Sequence, residues 1–117
     1  MSSDASTLVR RYFGAYQTKD RHIVEEMLPE DFTFTSPYDD HIDRASYFER
    51  CWPNSELVRE IRIEKLFEKD GEVLIRYELE THRRETFRNV EFLRTDGRLI
   101  REVEVYFGSL PKVDPTK

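Results

Sequence analysis

A single cysteine, Cys51, stands in the 117 residues of this chain, so no disulfide can close within it. Phe48 and Trp52 beside it mark Cys51 as a buried packing residue rather than a nucleophile. No apolar run approaches the ~20 residues of a membrane span. The opening Met-Ser-Ser-Asp-Ala-Ser lacks the charged-then-apolar pattern of a signal peptide. Lysine and arginine total 19 against 24 acids, a net charge of −5, and form no basic stripe. Nucleic acid and anionic membrane are therefore not expected as partners, and a cytoplasmic protein fits. Gly-rich phosphate loops, a Gly-x-Ser-x-Gly elbow and any Cys–His pairing are all missing. Nucleotide use and covalent serine or cysteine catalysis are disfavoured, and no cofactor is expected. Of the three histidines, His22 and His82 stand alone as surface residues. Asp39, Asp40, His41 and Asp43 cluster, but at no recognised metal-ligand spacing, and Asp43 serves as a helix cap. No metal is expected. Without repeats, linkers or low-complexity segments, residues 1–117 form one domain with a core from about 5 to 108. The end from Leu110 to Lys117 reads as irregular.

The pattern that is present begins with helices. Asp4 or Ser6 can cap a first helix with Leu8, Val9, Tyr12, Phe13 and Tyr16 on one stripe. Asp20 can cap a second, with Ile23, Val24, Met27 and Leu28 inward and Pro29 as its stop. Phe32 to Ser36 alternates as a short strand, and Tyr38 to Ile42 reads as a loop. Asp43 caps a third helix, Arg44 to Trp52, ended by Pro53. Strands follow over Leu57–Glu68 and Glu72–Thr81, with a turn at Lys69-Asp70-Gly71 and another through His82–Glu85. Helices first and long strands afterwards give an α+β layout with the helices on one face of an antiparallel sheet.

The last two strands, Phe87–Leu93 and Leu99–Phe107, form a hairpin at Asp96-Gly97. A two-residue Asp-Gly loop predicts Arg94 opposite Leu99, Leu93 opposite Ile100, Glu91 opposite Glu102 and Asn89 opposite Glu104. One face then carries Phe87, Asn89, Glu91, Leu93, Ile100, Glu102, Glu104 and Tyr106. The other carries Val90, Phe92, Leu99, Val103, Val105 and Phe107. A face that gathers carboxylates, an amide and aromatics argues for a sheet with a cavity. The facing of Glu72–Thr81 depends on the turn before Phe87. An odd loop, favoured because it avoids burying Arg76, Glu78 and Glu80, puts Ile75, Tyr77 and Leu79 beside Glu91.

The order helix–helix–strand–helix–long strands resembles the nuclear transport factor 2-like superfamily, in particular its SnoaL-like and ketosteroid-isomerase-like bacterial members. The segment Ser36–Phe48, the pair Asp96-Gly97 and the ending Glu104-Val105-Tyr106-Phe107 carry the resemblance, which spans residues 5 to 108. It implies a curved, cone-shaped sheet with the N-terminal helices packed on its concave face, an interior pocket, and often a homodimer across the outer sheet face. Members include isomerases, cyclases, dehydratases, hydrolases and non-catalytic binders. By the same resemblance Tyr12 stands where ketosteroid isomerases carry the tyrosine that bonds a developing enolate. Ser36 stands where they carry the proton-moving aspartate, and a third acid falls near Val90 or Glu91. Serine is too weak a base to replace aspartate alone, which argues against steroid isomerisation.

These lines converge on a pocket for a small apolar molecule with one or two polar handles. Glu104 or Glu102 would act as base and Tyr12 as electrophile in a cofactor-independent isomerase or lyase. Phe34, Tyr38, Trp52, Tyr77, Asn89, Glu91 and Tyr106 would contact the ligand. Two plainer alternatives stay open: ion pairing of these glutamates with Arg76, Arg88 or Arg101, and a solvated face. A binding protein without catalysis, or a dimerisation module joined through Val90, Val103, Val105 and Phe107, would use the same scaffold.

Overall fold

The computed structural model describes residues 4–108; the tail from Leu110 lies outside them. Two helices open the chain, α1 (Asp4–Thr18) and α2 (Arg21–Met27), followed by strands β1 (Thr33–Ser36) and β2 (Asp39–Asp43). Helix α3 (Arg44–Arg50) and a 3-10 turn (Trp52–Leu57) lead into β3 (Val58–Lys69), β4 (Glu72–Thr81), β5 (Thr86–Asp96) and β6 (Leu99–Phe107). Among the described residues no helix is long and apolar enough to cross a membrane.

The caps of the second and third helices act as read, whereas Asp4 and Ser6 lie within α1 itself. Asp20 accepts the Ile23 amide at 3.3 Å and Asp43 accepts the Ser46 amide at 2.8 Å. That second bond holds the Asp43 carboxyl below the usual carboxylate range. Helix α3 ends earlier than expected, because Pro53 opens a 3-10 turn rather than closing the helix. The expected loop at Tyr38–Ile42 is largely strand: Asp39 faces Ser36 and Ile42 faces Phe34. Aspartates and histidine make poor strand formers, so pairing with β1, not propensity, makes β2.

One six-stranded sheet runs β2-β1-β6-β5-β4-β3. It is curved and mixed rather than purely antiparallel, since β1 lies parallel to β6. The helices pack on one face, over a core that includes Val9, Tyr47, Phe32, Ile75, Leu93, Ile100 and Val103.

The final hairpin departs from the expected register. Its two central residues are Gly97 and Arg98, with Asp96 facing Leu99. Only Gly97 takes a positive φ, +73°, so glycine occupies the first central position and Asp96 stays in the strand. Next, Thr95 faces Ile100 but Arg94 faces Glu102, so Arg101 is an extra residue in a bulge. Its guanidinium is held by Asp96 at 2.5 Å and Asp31 at 2.7 Å. The bulge reverses facing along the rest of β6. Val103 and Val105 turn into the core, and Glu102, Glu104 and Tyr106 turn to the outer face. The outer apolar face expected to join copies thus keeps Val90 but loses Val103, Val105 and Phe107.

Two glycines separate backbone freedom from helix propensity. At Gly71, φ is +82° and a Cβ would lie 2.9 Å from the Thr95 carbonyl oxygen; at Gly14 in α1 nothing lies within 4 Å. Gly71→Ala should cost about 1–2 kcal/mol, whereas Gly14→Ala should gain about 0.5–1 kcal/mol. Urea unfolding of the two variants checks the opposite signs.

Candidate functional site

The site begins with the register of β4 on β5. Ile75 faces Glu91 and Tyr77 faces Asn89, with an odd stretch, residues 81–85, between the facing pair Glu80 and Thr86. The favoured parity therefore holds, and Ile75, Tyr77 and Leu79 share the face of Glu91. Tyr77 and Glu91 are diagonal neighbours, within reach of a long aromatic side chain.

Their contact is directional. Gly108 donates its amide to Asn89 Oδ1 at 3.3 Å, which turns the Asn89 Nδ2 group toward Tyr77, where it donates to the phenol oxygen at 3.2 Å. The Tyr77 hydroxyl must then spend its own proton elsewhere, and it donates to Glu91 Oε2 at 2.5 Å. Gly108 is needed for this approach: a Cβ there would lie 1.9 Å from the Arg88 carbonyl oxygen. Glu91 is 6% exposed, and no cation pairs with it among the described residues. Burial pushes its carboxyl up to about 7, partly offset by the Tyr77 bond.

Glu91 lies on the wall of a cavity of about 510 Å³, within the range of small-molecule sites. Facing it are phenols from the helices. Tyr12 Oη is 2.6 Å from Tyr47 Oη, and Tyr16 Oη also bonds Tyr47 Oη. Tyr12 and Tyr16 are also hydrogen-bonded to each other, so the three hydroxyls form one mutually bonded cluster. Tyr12 and Tyr16 line the cavity. Burial raises all three phenols well above the usual tyrosine range, so they are neutral donors. Cys51 lines it as well, its thiol pushed up to about 11 by burial and the Asp39 carboxylate, hence unreactive as a nucleophile. Nearer the rim, Asp39 Oδ1 stands 2.7 Å from Arg50 Nη2. The contact is an ion pair without hydrogen-bond alignment, since Oδ1 accepts no hydrogen bond. Tyr38 and Phe107 pack together at the mouth, ring centres 5.5 Å apart. Among the described residues no three His, Cys, Asp or Glu side chains converge as a metal would require.

Of the residues singled out in the sequence, Tyr12, Phe34, Tyr38, Tyr77, Asn89 and Glu91 meet at this cavity. Trp52 does not line it; its ring is buried against Tyr16 and Phe48. Glu102, Glu104 and Tyr106 are placed elsewhere. Glu102 accepts from Arg94 at 3.3 Å, and Tyr106 donates to Glu104 at 2.7 Å, all on the outer face. The expected neutralising arginines have other partners: Arg76 and Arg88 bond Glu64, and Arg101 bonds the two aspartates at the bulge. The spacing Ile100–Val103–Val105 was the available signal, since a three-residue step between inward residues breaks strict alternation and marks a bulge. Tyr16, one turn beyond Tyr12, was legible by helical spacing; Tyr47 and Asp39 were not.

Residues 9–103 match the SnoaL-like domain. The chain belongs to the SnoaL-like domain family. No curated protein matches it. Solved structures similar to this SnoaL-like chain include a nuclear transport factor 2-like protein of unknown function from Cytophaga hutchinsonii (22% identity, 92% of each chain, TM-score 0.72). Another is an LEH-like epoxide hydrolase of M. tuberculosis (19% identity, 89% of this chain and 82% of that one, TM-score 0.73). A de novo designed protein with a curved β-sheet is also similar (13% identity, 99% and 90%, TM-score 0.76). At such identities the likeness is one of fold.

A buried acid that holds its proton to about pH 7 makes stability pH-dependent. Unfolding returns Glu91 to its ordinary value of 4.5, so between about pH 4.5 and 7 the folded state binds more protons than the unfolded state. Stability is greatest below that window, declines as pH rises through it, and levels off above. At 1.36 kcal/mol per unit the decline is up to roughly 3 kcal/mol. Glu91→Gln keeps the shape and removes the titration, so urea unfolding should find it more stable than wild type at pH 8 and much less so at pH 5. Because the Tyr77 bond favours the charged form, Tyr77→Phe should raise the Glu91 midpoint further, read by carboxyl NMR titration.

Proposed function

We propose that this SnoaL-like chain is a small-molecule pocket protein in which Glu91 passes a proton to or from a bound ligand, the chemistry of a cofactor-independent isomerase or lyase. One observation carries the reading: a carboxyl, buried in an apolar cavity without a cation, bonded by the Tyr77 hydroxyl at 2.5 Å. A structural role would be served as well by glutamine or leucine, without the cost of an acid poised near neutrality. In the protonated form Glu91 can donate to a ligand oxygen, and in the ionised form it can take an acidic proton from carbon. Tyr12 and Tyr16, neutral phenols on the cavity wall, can turn a hydroxyl from the cluster toward a ligand oxygen on which negative charge develops. Apolar walls such as Phe34, Leu79 and Val105 suit a small apolar molecule with a carbonyl or hydroxyl handle. The likeness to an epoxide hydrolase supports chemistry on this fold, though not that reaction.

Deuterium exchange at the α-carbon of a small cyclic ketone in D2O, followed by proton NMR, tests this without the natural substrate. Wild type should exceed Glu91→Gln by about 100-fold or more, with a rate that rises through about pH 7 as the base form of Glu91 accumulates. Equal rates in the two proteins, with ketone binding retained, would instead assign a binding role without catalysis.

A further inference from the structure

Along the β3–β5 wall of the cavity, polarity runs against burial. The polar groups lie at the inner end, with Tyr77, Asn89 and Glu91 only 4%, 7% and 6% exposed. Glu91 Oε1 has no hydrogen-bond partner among the described residues and is not sealed off, so a ligand can reach it. The outer end of the wall is apolar. Ile61 faces Leu79 and Leu79 faces Phe87, one row across three strands, and all three line the cavity. Phe87 is 37% exposed, and Leu57, on the same cavity, is 60% exposed. Phe87 and Glu91 share one face of β5 four residues apart, a span of about 13 Å along the strand. The charged rim groups Arg50 and Asp39 pair with each other on α3 and β2, away from this row.

A wall that keeps its acid inside and its apolar row toward water suits a molecule of matching asymmetry. Resting on the pocket reading above, we propose that the ligand is an elongated, uncharged molecule bound head-first. Its carbonyl or hydroxyl sits at Glu91, and its apolar tail runs along Leu79 and Ile61 to end at Phe87 by the mouth. A compact ligand would meet Glu91 but leave the outer row wet. A ligand bound tail-first would set an apolar end against the buried carboxyl and strand its free oxygen. Phe87 in this role is a specificity residue for tail length, while Glu91 reads the head.

Straight-chain methyl ketones of increasing length provide the test, with dissociation constants from ligand-observed NMR on the full chain. In wild type each added methylene should tighten binding by up to about fourfold, until the chain clears Phe87 and the gain stops. Phe87→Ser should weaken the longest members by about tenfold and narrow the gap between long and short. Phe67→Ser, which alters an exposed aromatic outside this cavity, should leave the whole series unchanged. A carboxylate fixed to the far end should be tolerated on a chain long enough to reach water and should abolish binding of a short one. Affinity independent of length, or a length dependence that Phe87→Ser leaves intact, overturns the inference while the Glu91 reading stands on the exchange experiment. A far-end carboxylate that abolishes binding at every length overturns it too, because the tail then lies inside. If Phe87→Ser instead dissociates a dimer in sedimentation and chain length has no effect, the row joins two copies and the inference falls. Failure of every ketone to bind wild type overturns both readings.

Discussion

The proton that Tyr77 commits to Glu91 constrains everything the cavity can do. Because Asn89 donates to the phenol oxygen, Tyr77 has a single use left for its hydrogen, and Glu91 Oε2 receives it. A carboxyl supported from behind in this way has its orientation fixed before any ligand arrives, which is the condition for useful acid–base chemistry. The environment then decides its affinity for a proton: removal from water raises it, and the phenol partly restores the charged form. Both effects require β4 and β5 in one register, since a one-residue slip would send Glu91 to the outer face.

The outer face of the same strands solves a different problem. Arg62 bridges Glu60, Glu78 and Glu80, and Glu64 gathers Arg76 and Arg88. Apart from Glu80, which is buried, these groups keep contact with solvent, and single surface pairs of this type stabilise little. Their arrangement keeps these charges off the concave side, and among the described residues Glu91, backed by Tyr77, is the buried glutamate at the cavity. The split between a solvated, ion-paired face and an apolar, sparsely polar one is what alternation along β3 and β4 encodes.

The architecture was largely legible because the chain writes its helices and strands with strong periodicity and clear caps at Asp20 and Asp43. Glu91, Asn89 and Tyr77 were legible too, since local parity decides their facing. The misplacement of Glu102, Glu104 and Tyr106 has one cause. The bulge at Arg101 reverses the facing of β6; centring the turn on Asp96-Gly97 rather than Gly97-Arg98 shifts the register by two and leaves the facing unchanged. Asp39 and Tyr47 were beyond local reading: the first needs β2, a strand made by its partner, and the second acquires its hydroxyl neighbours from a helix far away in sequence.

The seating of Gly108 against Arg88 reaches further than its place at the strand's end suggests. Its amide is what tells the Asn89 carboxamide which way round to sit. Were that peptide lifted away, the carboxamide could rotate and offer oxygen instead of nitrogen to the phenol. Tyr77 would then hand its hydrogen to Asn89, and Glu91 would lose the phenol that donates to it. The polarity of the whole relay is thus set by a peptide group that never touches the cavity's acid.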